Sequence, residues 1–324
     1  MNKARIGIVG GAGYTAGELL RLLVLHPHAE VSWVHSSSQS GRSVAEVHQD
    51  LVGETELQFT SALDWEATDA LFLCSGHGAS AKFMREQAVP DRIKIIDLSQ
   101  DFRAEDSSHS FVYGLPELQR NRIRQASRVA NPGCFATAVQ LGLLPLAENH
   151  LLNSDVHIHA ITGSTGAGQQ PTETTHFSWR SSNVSVYKAF RHQHLREIGQ
   201  SVRQLQPTFA RALNFIPVRG NFARGIFASM YLDTTLTTEA AREHYANFYR
   251  DAPFVTSVAT NPHLKQVVNT NKAVVFVEVI DDKLLVVSTI DNLIKGASGQ
   301  AIQNLNLMMG WSESAGLNLK ASYF

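Results

Sequence analysis

Cys134 is one of two cysteines in the chain and stands in NPGCFATA, directly after Pro132-Gly133 and at the head of a segment with helically spaced apolar residues. The unpaired N–H groups and positive dipole end of a helix N-terminus favour thiolate, commonly lowering thiol pKa values into the range of about 3.5–7.5. Asn131 can donate an amide hydrogen bond to a developing oxyanion, Pro132 sets the entry angle, and Gly133 allows close approach. Cys134 is therefore a candidate nucleophile. Its alternative is a buried thiol capping a core helix, since cysteine is among the most buried residue types. Cys74, inside the apolar run LFLC, reads as a core thiol.

A nucleophilic thiol needs a proton partner. The segment FRHQHLREI offers Arg191, His192, His194 and Glu197 at the start of a predicted helix over 193–206. His194 and Glu197 are three residues apart and share a helix face, so the carboxylate can orient the imidazole or bind substrate. HIH at 157–159 puts His157 and His159 on one side of a strand, but neither cysteine has the partner spacing of a zinc site, and no metal is expected. Arg103 in DLSQDFR, with Arg191, Arg196, Arg219 and Arg224, supplies candidate anion-binding groups. The glycine-rich stretch GSTGAGQQ (163–170), which includes Gly166, can present backbone N–H groups.

A second motif points to a nucleotide. GIVGGAGYTAGELL sets Gly10 and Gly13, followed by Tyr14 and Thr15, between a first strand and a first helix. The glycines let the backbone approach a pyrophosphate, and the helix N-terminus offers it N–H groups. The spacing is G-x-x-G-x-x-G rather than G-x-G-x-x-G, so the motif rests on its position after the first strand. At the end of the second strand an NAD site usually carries an acid for the ribose, whereas here HSSSQSGR has Ser36, Ser38 and Arg42 and no acid before Glu46. Small hydroxyls and a cation suit a 2′-phosphate, so NADP(H) is the expected cofactor. Gly76, in CSGHGAS, falls where a dinucleotide would pass the strand ends.

These groups need a scaffold. Up to about residue 150, short apolar runs (5–10, 30–36, 57–61, 69–75, 94–99) alternate with helical ones, which predicts a doubly wound parallel sheet covered on both faces. From Val156 the runs lengthen, alternate more and follow one another directly, with helices near 193–206 and 238–250; this predicts a mixed sheet with helices on one side. IDDK (280–283) reads as a hairpin, and the broad sheet face as a dimer surface. A last helix falls within IKGASGQAIQNLNLMMGW. The fold class is thus α/β, a Rossmann-type domain plus an α+β domain. A length of 324 residues is about twice the ~150-residue prior for one domain. Hydrophobic residues at 44%, charged residues at 18% and a net charge of −1 describe a folded chain with no electrostatic footprint for nucleic acid or membrane. No apolar leader or spanning run is evident, and two cysteines make no disulfide framework, so a cytoplasmic, reducing setting is expected.

A dinucleotide loop, an activated thiol, a histidine and several anion sites describe an oxidoreductase acting on an aldehyde or acyl phosphate. Alternatives are a thiol acyl-hydrolase built on Cys134 and His194, and a non-catalytic nucleotide-sensing protein. The chain resembles the N-acetyl-gamma-glutamyl-phosphate reductases, relatives of aspartate-semialdehyde dehydrogenase, nearly end to end: GIVGGAGYTAGELLRLL, DLSQDFR, YGLPEL, NPGCFATA, GSTGAG, HQHLREI, RGIFASMY and DNLIKGASGQAIQNLN stand in the family's order. The resemblance implies NADPH-dependent reduction of an N-acyl gamma-glutamyl phosphate through a thioester on Cys134, with His194 as acid/base, Glu197 as the motif's acid and Asn292 near the nicotinamide. It also implies a Rossmann domain of residues 1–148 and 297–324, closed by the returning C-terminal helix, an α+β domain of residues 149–296, and a homodimer or homotetramer. Gln193, Arg196, Phe135 and Ala136 depart from the usual family residues, which leaves acetyl or succinyl as the acyl group and glutamyl or the longer aminoadipyl as the chain.

Overall fold

The computed structural model describes residues 3–323. The chain forms two compact units: the first runs up to Pro132 and resumes over Ala297–Asn318, and the second comprises Gly133–Gly296 and the segment from Leu319. The ends of the expected domain ranges, residues 1–2 and 324, lie outside the described residues.

In the first unit, strands β1 (Ala4–Val9), β2 (Ala29–His35), β3 (Phe59–Thr60), β4 (Ala70–Leu73), β5 (Lys94–Asp97), β6 (Val112–Tyr113) and β7 (Arg128–Ala130) pair in the order β3-β2-β1-β4-β5-β7-β6, every pair parallel. Helices α1 (Tyr14–Leu23), α2 (Val44–Val47), α3 (Ala79–Glu86) and α4 (Pro116–Gln125) connect them. β4 is buried at all four positions, as a strand covered on both faces must be. The chain runs outward from β1 through β2 to β3 and then crosses to β4, so the sheet order reverses between β1 and β4, where doubly wound folds hold their ligands. β6 is too short to show a period, and α4 buries only Pro116, Gln119 and Ile123, so neither element stands out in the sequence.

The second unit opens with α5 (Cys134–Glu148) and continues through β8 (Val156–Thr162), α6 (Phe177–Arg180), β9 (Ser185–Val186), α7 (His194–Leu205), β10 (Leu213–Arg219), β11 (Ile226–Asp233), α8 (Thr238–Phe248), β12 (Val255–Val258), β13 (Ala273–Ile280) and β14 (Lys283–Ile290). Its sheet, β12-β13-β14-β11-β8-β10-β9, mixes parallel and antiparallel pairs, as the alternating runs predict. Phe135 through Ala147 are all buried, packed on α7, β11 and β14, so the units divide before α5 and not after residue 148. Pro145 inside α5 has no N–H to give the Leu141 carbonyl; the Tyr249 hydroxyl donates to that carbonyl instead, at 2.5 Å.

α9 (Gly299–Met308) follows a π-turn at Ile294–Ser298 and belongs to the first unit, wholly buried against α1, α4 and β5. Its polar side chains bind the core: Asn304 Nδ2 donates to the Gly114 carbonyl and to Asn131 Oδ1, and Asn306 Nδ2 to the Glu313 and Ala315 carbonyls. The tail from Leu319 groups with the second unit rather than the first.

His26 joins α9 to the turn after α1. Its Nδ1 accepts the His28 N–H at 3.2 Å and its Nε2 lies 3.1 Å from Asn306 Oδ1, an arrangement that suits the neutral ring. Burial holds its pKa below the ordinary value. The unfolded chain takes up a proton below about pH 6.5 that folded His26 refuses, so this contribution is complete above that pH and is lost as pH falls through it. The urea midpoint is expected to drop between pH 7.5 and 5, and to drop less in His26→Gln; equal slopes in the two proteins contradict this.

Candidate active site

Cys134 is the first residue of α5, and Gly133 caps the helix in an extended conformation without a side-chain hydrogen bond. The Gly133 N–H donates to Glu197 Oε2 at 2.9 Å in a buried setting, and Glu197 Oε1 lies 3.9 Å from His194 Nε2. His194 and Glu197 share the first turn of α7, which packs along α5. A Cβ at position 133 would fall on the His194 ring, 2.6 Å from Cδ2 and Cε1 and nearer still to Nε2. One at Gly296 would stand 2.8 Å from the Cys134 Cβ. Within the second unit a thiol at a helix start, an imidazole and a carboxylate are thus gathered around one glycine, with the carboxylate bonded to the backbone that precedes the thiol. Such a set can stabilise a thiolate, carry out acyl transfer to sulfur and move a proton at the imidazole.

His192 lies behind these groups. Its ring stands edge-on to His194 (4.6 Å), Phe135 (5.5 Å), Phe215 (5.5 Å) and Tyr187 (5.8 Å), and its Nδ1 accepts the His194 N–H at 3.3 Å. Desolvation, reinforced by the Lys188 charge, pushes its pKa down to about 4, so it is neutral at pH 7 and holds the start of α7. Arg191 is exposed. Phe135, the departure that follows the thiol, is buried in this aromatic cluster.

The 163–170 loop is fastened from two sides. Thr165 donates through its N–H and its hydroxyl to the Ala223 carbonyl, and Asn292 links Thr165 Oγ1 (3.0 Å) to the Gly225 N–H (2.7 Å). Gly166 sits beneath Asn292, where a Cβ would lie 3.9 Å from Nδ2. Arg224 pairs with fully buried Asp291 at 3.0 Å, so it serves the fold rather than a free anion site. The outward-facing His157 stacks on Tyr231, and no group of metal-ligating residues occurs among the described residues.

In the first unit Gly10 has φ +79°, and a Cβ there would stand 2.8 Å from the backbone at Cys74 and Ser75. Gly13 caps α1 with no heavy atom within 4 Å of where its Cβ would be, and Tyr14 is 40% exposed beside it. The Thr15 carbonyl accepts the Ser298 hydroxyl. The α3 N-terminus is by contrast filled, since Asp101 accepts from the Gly78 and Ala81 N–H groups. A dinucleotide phosphate therefore fits α1 better than α3. Gly76 is open, Ser36 is buried at the end of β2 with its Oγ 3.5 Å from Ser38 Oγ, and exposed Arg42 is held by Gln39 and Glu46. His48, which lies in no motif of the sequence, braces the turn through the Gly11 carbonyl at 2.8 Å. Burial, then the Asp97 charge, raise the Cys74 thiol pKa.

Arg103 and Asn131 also turn inward. Arg103 Nε donates to the Asn131 carbonyl and Nη2 to that of Leu98, while the Asn131 amide donates to the Ala297 carbonyl and accepts from Asn304. Both hold the strand end that leads into Gly133-Cys134, a role the motif alone does not disclose.

Residues 5–126 match the family model described as semialdehyde dehydrogenase, NAD binding domain, and residues 134–292 the one described as semialdehyde dehydrogenase, dimerisation domain. The N-acetyl-gamma-glutamyl-phosphate reductase of Parabacteroides distasonis is 56% identical, covering 99% of each chain, and that of Christiangramia forsetii 55% identical, covering 98% of this chain and 99% of its own. Aspartate semialdehyde dehydrogenase II of Vibrio cholerae, solved with ASA, shares the fold at a TM-score of 0.76 and 15% identity, covering 96% of this chain and 99% of its own. The aspartate semialdehyde dehydrogenase of Candida albicans, solved with NADP, does so at 0.70 and 13%, covering 95% and 99%. With a thiol, imidazole and carboxylate in one unit, a glycine turn after the first strand of the other, and relatives above half identity over nearly all its length, the chain belongs to the N-acetyl-gamma-glutamyl-phosphate reductase family of semialdehyde dehydrogenases.

Proposed function

We propose that the chain reduces N-acetyl-gamma-glutamyl phosphate to N-acetylglutamate 5-semialdehyde and phosphate in arginine biosynthesis, through a thioester on Cys134. The observation that carries this reading is the buried bracket of Gly133, Glu197 and His194 at the head of the Cys134 helix. The Cys134 thiolate attacks the acyl carbon, the C–O bond to phosphate breaks, and phosphate departs with that electron pair. Glu197 orients His194, whose protonated ring donates to the negative charge developing on the acyl oxygen and takes its proton back as the C–S bond breaks to leave the aldehyde and the Cys134 thiolate. Bound NADPH supplies the hydride that reduces the thioester. Gly10, Gly13, Tyr14, Thr15 and Gly76 would cradle its phosphates; Gly166 and Asn292 would serve its nicotinamide end. Ser36, Ser38 and Arg42 would take the 2′-phosphate, with no acid standing at the end of β2. His192 positions the start of α7, Arg103 holds the Asn131 strand end, and exposed Arg191 is the candidate to meet substrate.

The first unit is assigned to the dinucleotide, the second to acyl chemistry and self-association as a homodimer or homotetramer. The outer face of the second sheet supports that assignment: a groove of about 490 Å³ there is lined by His157, Phe190, Ile216, Tyr231 and Leu285. Among the described residues no helix is long and apolar enough to cross a membrane, and a cytoplasmic location is part of the proposal. The test is phosphate-dependent reduction of NADP assayed with N-acetyl- and N-succinyl-glutamate semialdehyde side by side, with the aminoadipate homologue as a third arm. Turnover of the acetyl compound supports the reading; turnover of none of them defeats it. In the same assay Arg42→Ala is expected to raise the KM for NADP about 10-fold or more while leaving that for NAD unchanged, as loss of a charged hydrogen bond predicts. An equal change for both nucleotides removes Arg42 from the 2′-phosphate site.

A further inference from the structure

Arg219 ends β10, and its guanidinium lies 4.7 Å over the ring of Tyr187. Tyr187 in turn packs 6.5 Å from Phe135, the residue after the thiol, and 5.8 Å from His192. Burial, then charge at Cys134, raise the pKa of its hydroxyl, while the Arg219 charge and a hydrogen bond from the Arg219 guanidinium lower it. One aromatic ring therefore connects Arg219 to the surroundings of Cys134.

Neighbouring arginines are engaged by the protein. Arg224 pairs with Asp291, and Arg180 donates to the carbonyls of Thr174, Asn183 and Arg219 and to Ser185 Oγ. Arg219 faces no carboxylate among the described residues, and its buried Nε–H has no hydrogen-bond partner. A buried guanidinium donor left without an acceptor is destabilising, and a ligand oxygen that accepts from it removes that cost.

We propose that Arg219, held over the ring of Tyr187, is a specificity-determining residue that receives a carboxylate of the substrate. The inference rests on the reductase reading. A single planar fork with two parallel donors matches the two coplanar oxygens of a carboxylate. A phosphate dianion calls for several converging donors, and neighbouring Arg180 spends its own on backbone carbonyls and Ser185 Oγ. In an N-acyl-glutamyl phosphate the α-carboxylate carbon is four bonds from the reacting carbon; in an N-succinyl substrate a second carboxylate lies on the acyl arm.

The test measures the phosphate-dependent direction. Arg219→Met keeps the apolar stem over Tyr187 and removes the donors; Arg219→Lys keeps the charge without the fork. The KM for N-acetylglutamate semialdehyde is expected to rise about 10- to 100-fold in Arg219→Met and less in Arg219→Lys, with the KM for phosphate and kcat little changed, as loss of a charge-assisted hydrogen bond predicts. N-acetylglutamate should slow alkylation of Cys134 by iodoacetamide in the wild type but not in Arg219→Met, a readout that needs no turnover and reports a folded site. If only the N-succinyl substrate loses affinity, the acyl-arm carboxylate is the ligand; if both do, it is the α-carboxylate. An unchanged KM for either semialdehyde in both variants, or a rise confined to phosphate, overturns the proposal. A wild-type chain with no phosphate-dependent NADP reduction overturns the reductase reading, and this inference with it.

Discussion

Cys134→Ser is expected to lower kcat for phosphate-dependent NADP reduction by about 10⁴-fold or more, since removing a covalent nucleophile eliminates the route rather than weakening one contact. Serine fills nearly the same volume, and the head of α5 has no side-chain cap to lose, so the urea midpoint should stay close to wild type. NADPH binding, read by fluorescence quenching, should persist, because the proposed dinucleotide residues around Gly10 and Gly13 belong to the other unit. Near-normal turnover would end the thioester mechanism. Turnover lost together with NADPH binding would point to misfolding instead, which the midpoint reveals.

Gly133→Ala is the second large effect, expected to cost at least about 10²-fold in kcat, the scale on which misplacement of a reacting group by about 1 Å acts. The backbone is not the obstacle: φ −71° and ψ 152° are open to alanine. The new methyl would meet the His194 ring at 2.6 Å, far inside ordinary contact, and that ring is hemmed in by His192 and Phe135. His194 must move, and with it the alignment between Glu197 and the Gly133 N–H. If the methyl acts through the imidazole, Gly133→Ala adds little in a His194→Ala background, as coupled sites behave. Full additivity would assign the loss to another cause.

Much of the architecture is legible along the chain because local burial leaves a period. The fully buried ALFL of β4 marks a strand covered on both faces, while Val156–Thr162 alternates as a strand with one face outward. α7 presents His194 and Glu197 on one face for the same reason. Elements without such a period, β6 and the polar α4, escape notice. The unit boundary before α5 also escapes, since a helix apolar on nearly every side does not say which sheet covers it.

The chemical inventory is written in the order of residues: a thiol at a helix start, an imidazole with a carboxylate three residues on, a glycine turn after the first strand, and hydroxyls with a cation where an acid would favour NAD. The partners of these groups come from folding. Glu197 reaches the Gly133 N–H across 64 residues of chain, Asn131 is held by Asn304 across 173, His48 braces the glycine turn, and Arg219 lies on Tyr187 with its Nε–H unanswered. Periodicity reports which face of an element is buried. It carries no information about which distant element covers that face, and the hydrogen bonds and close contacts that aim a reacting group depend on that second fact.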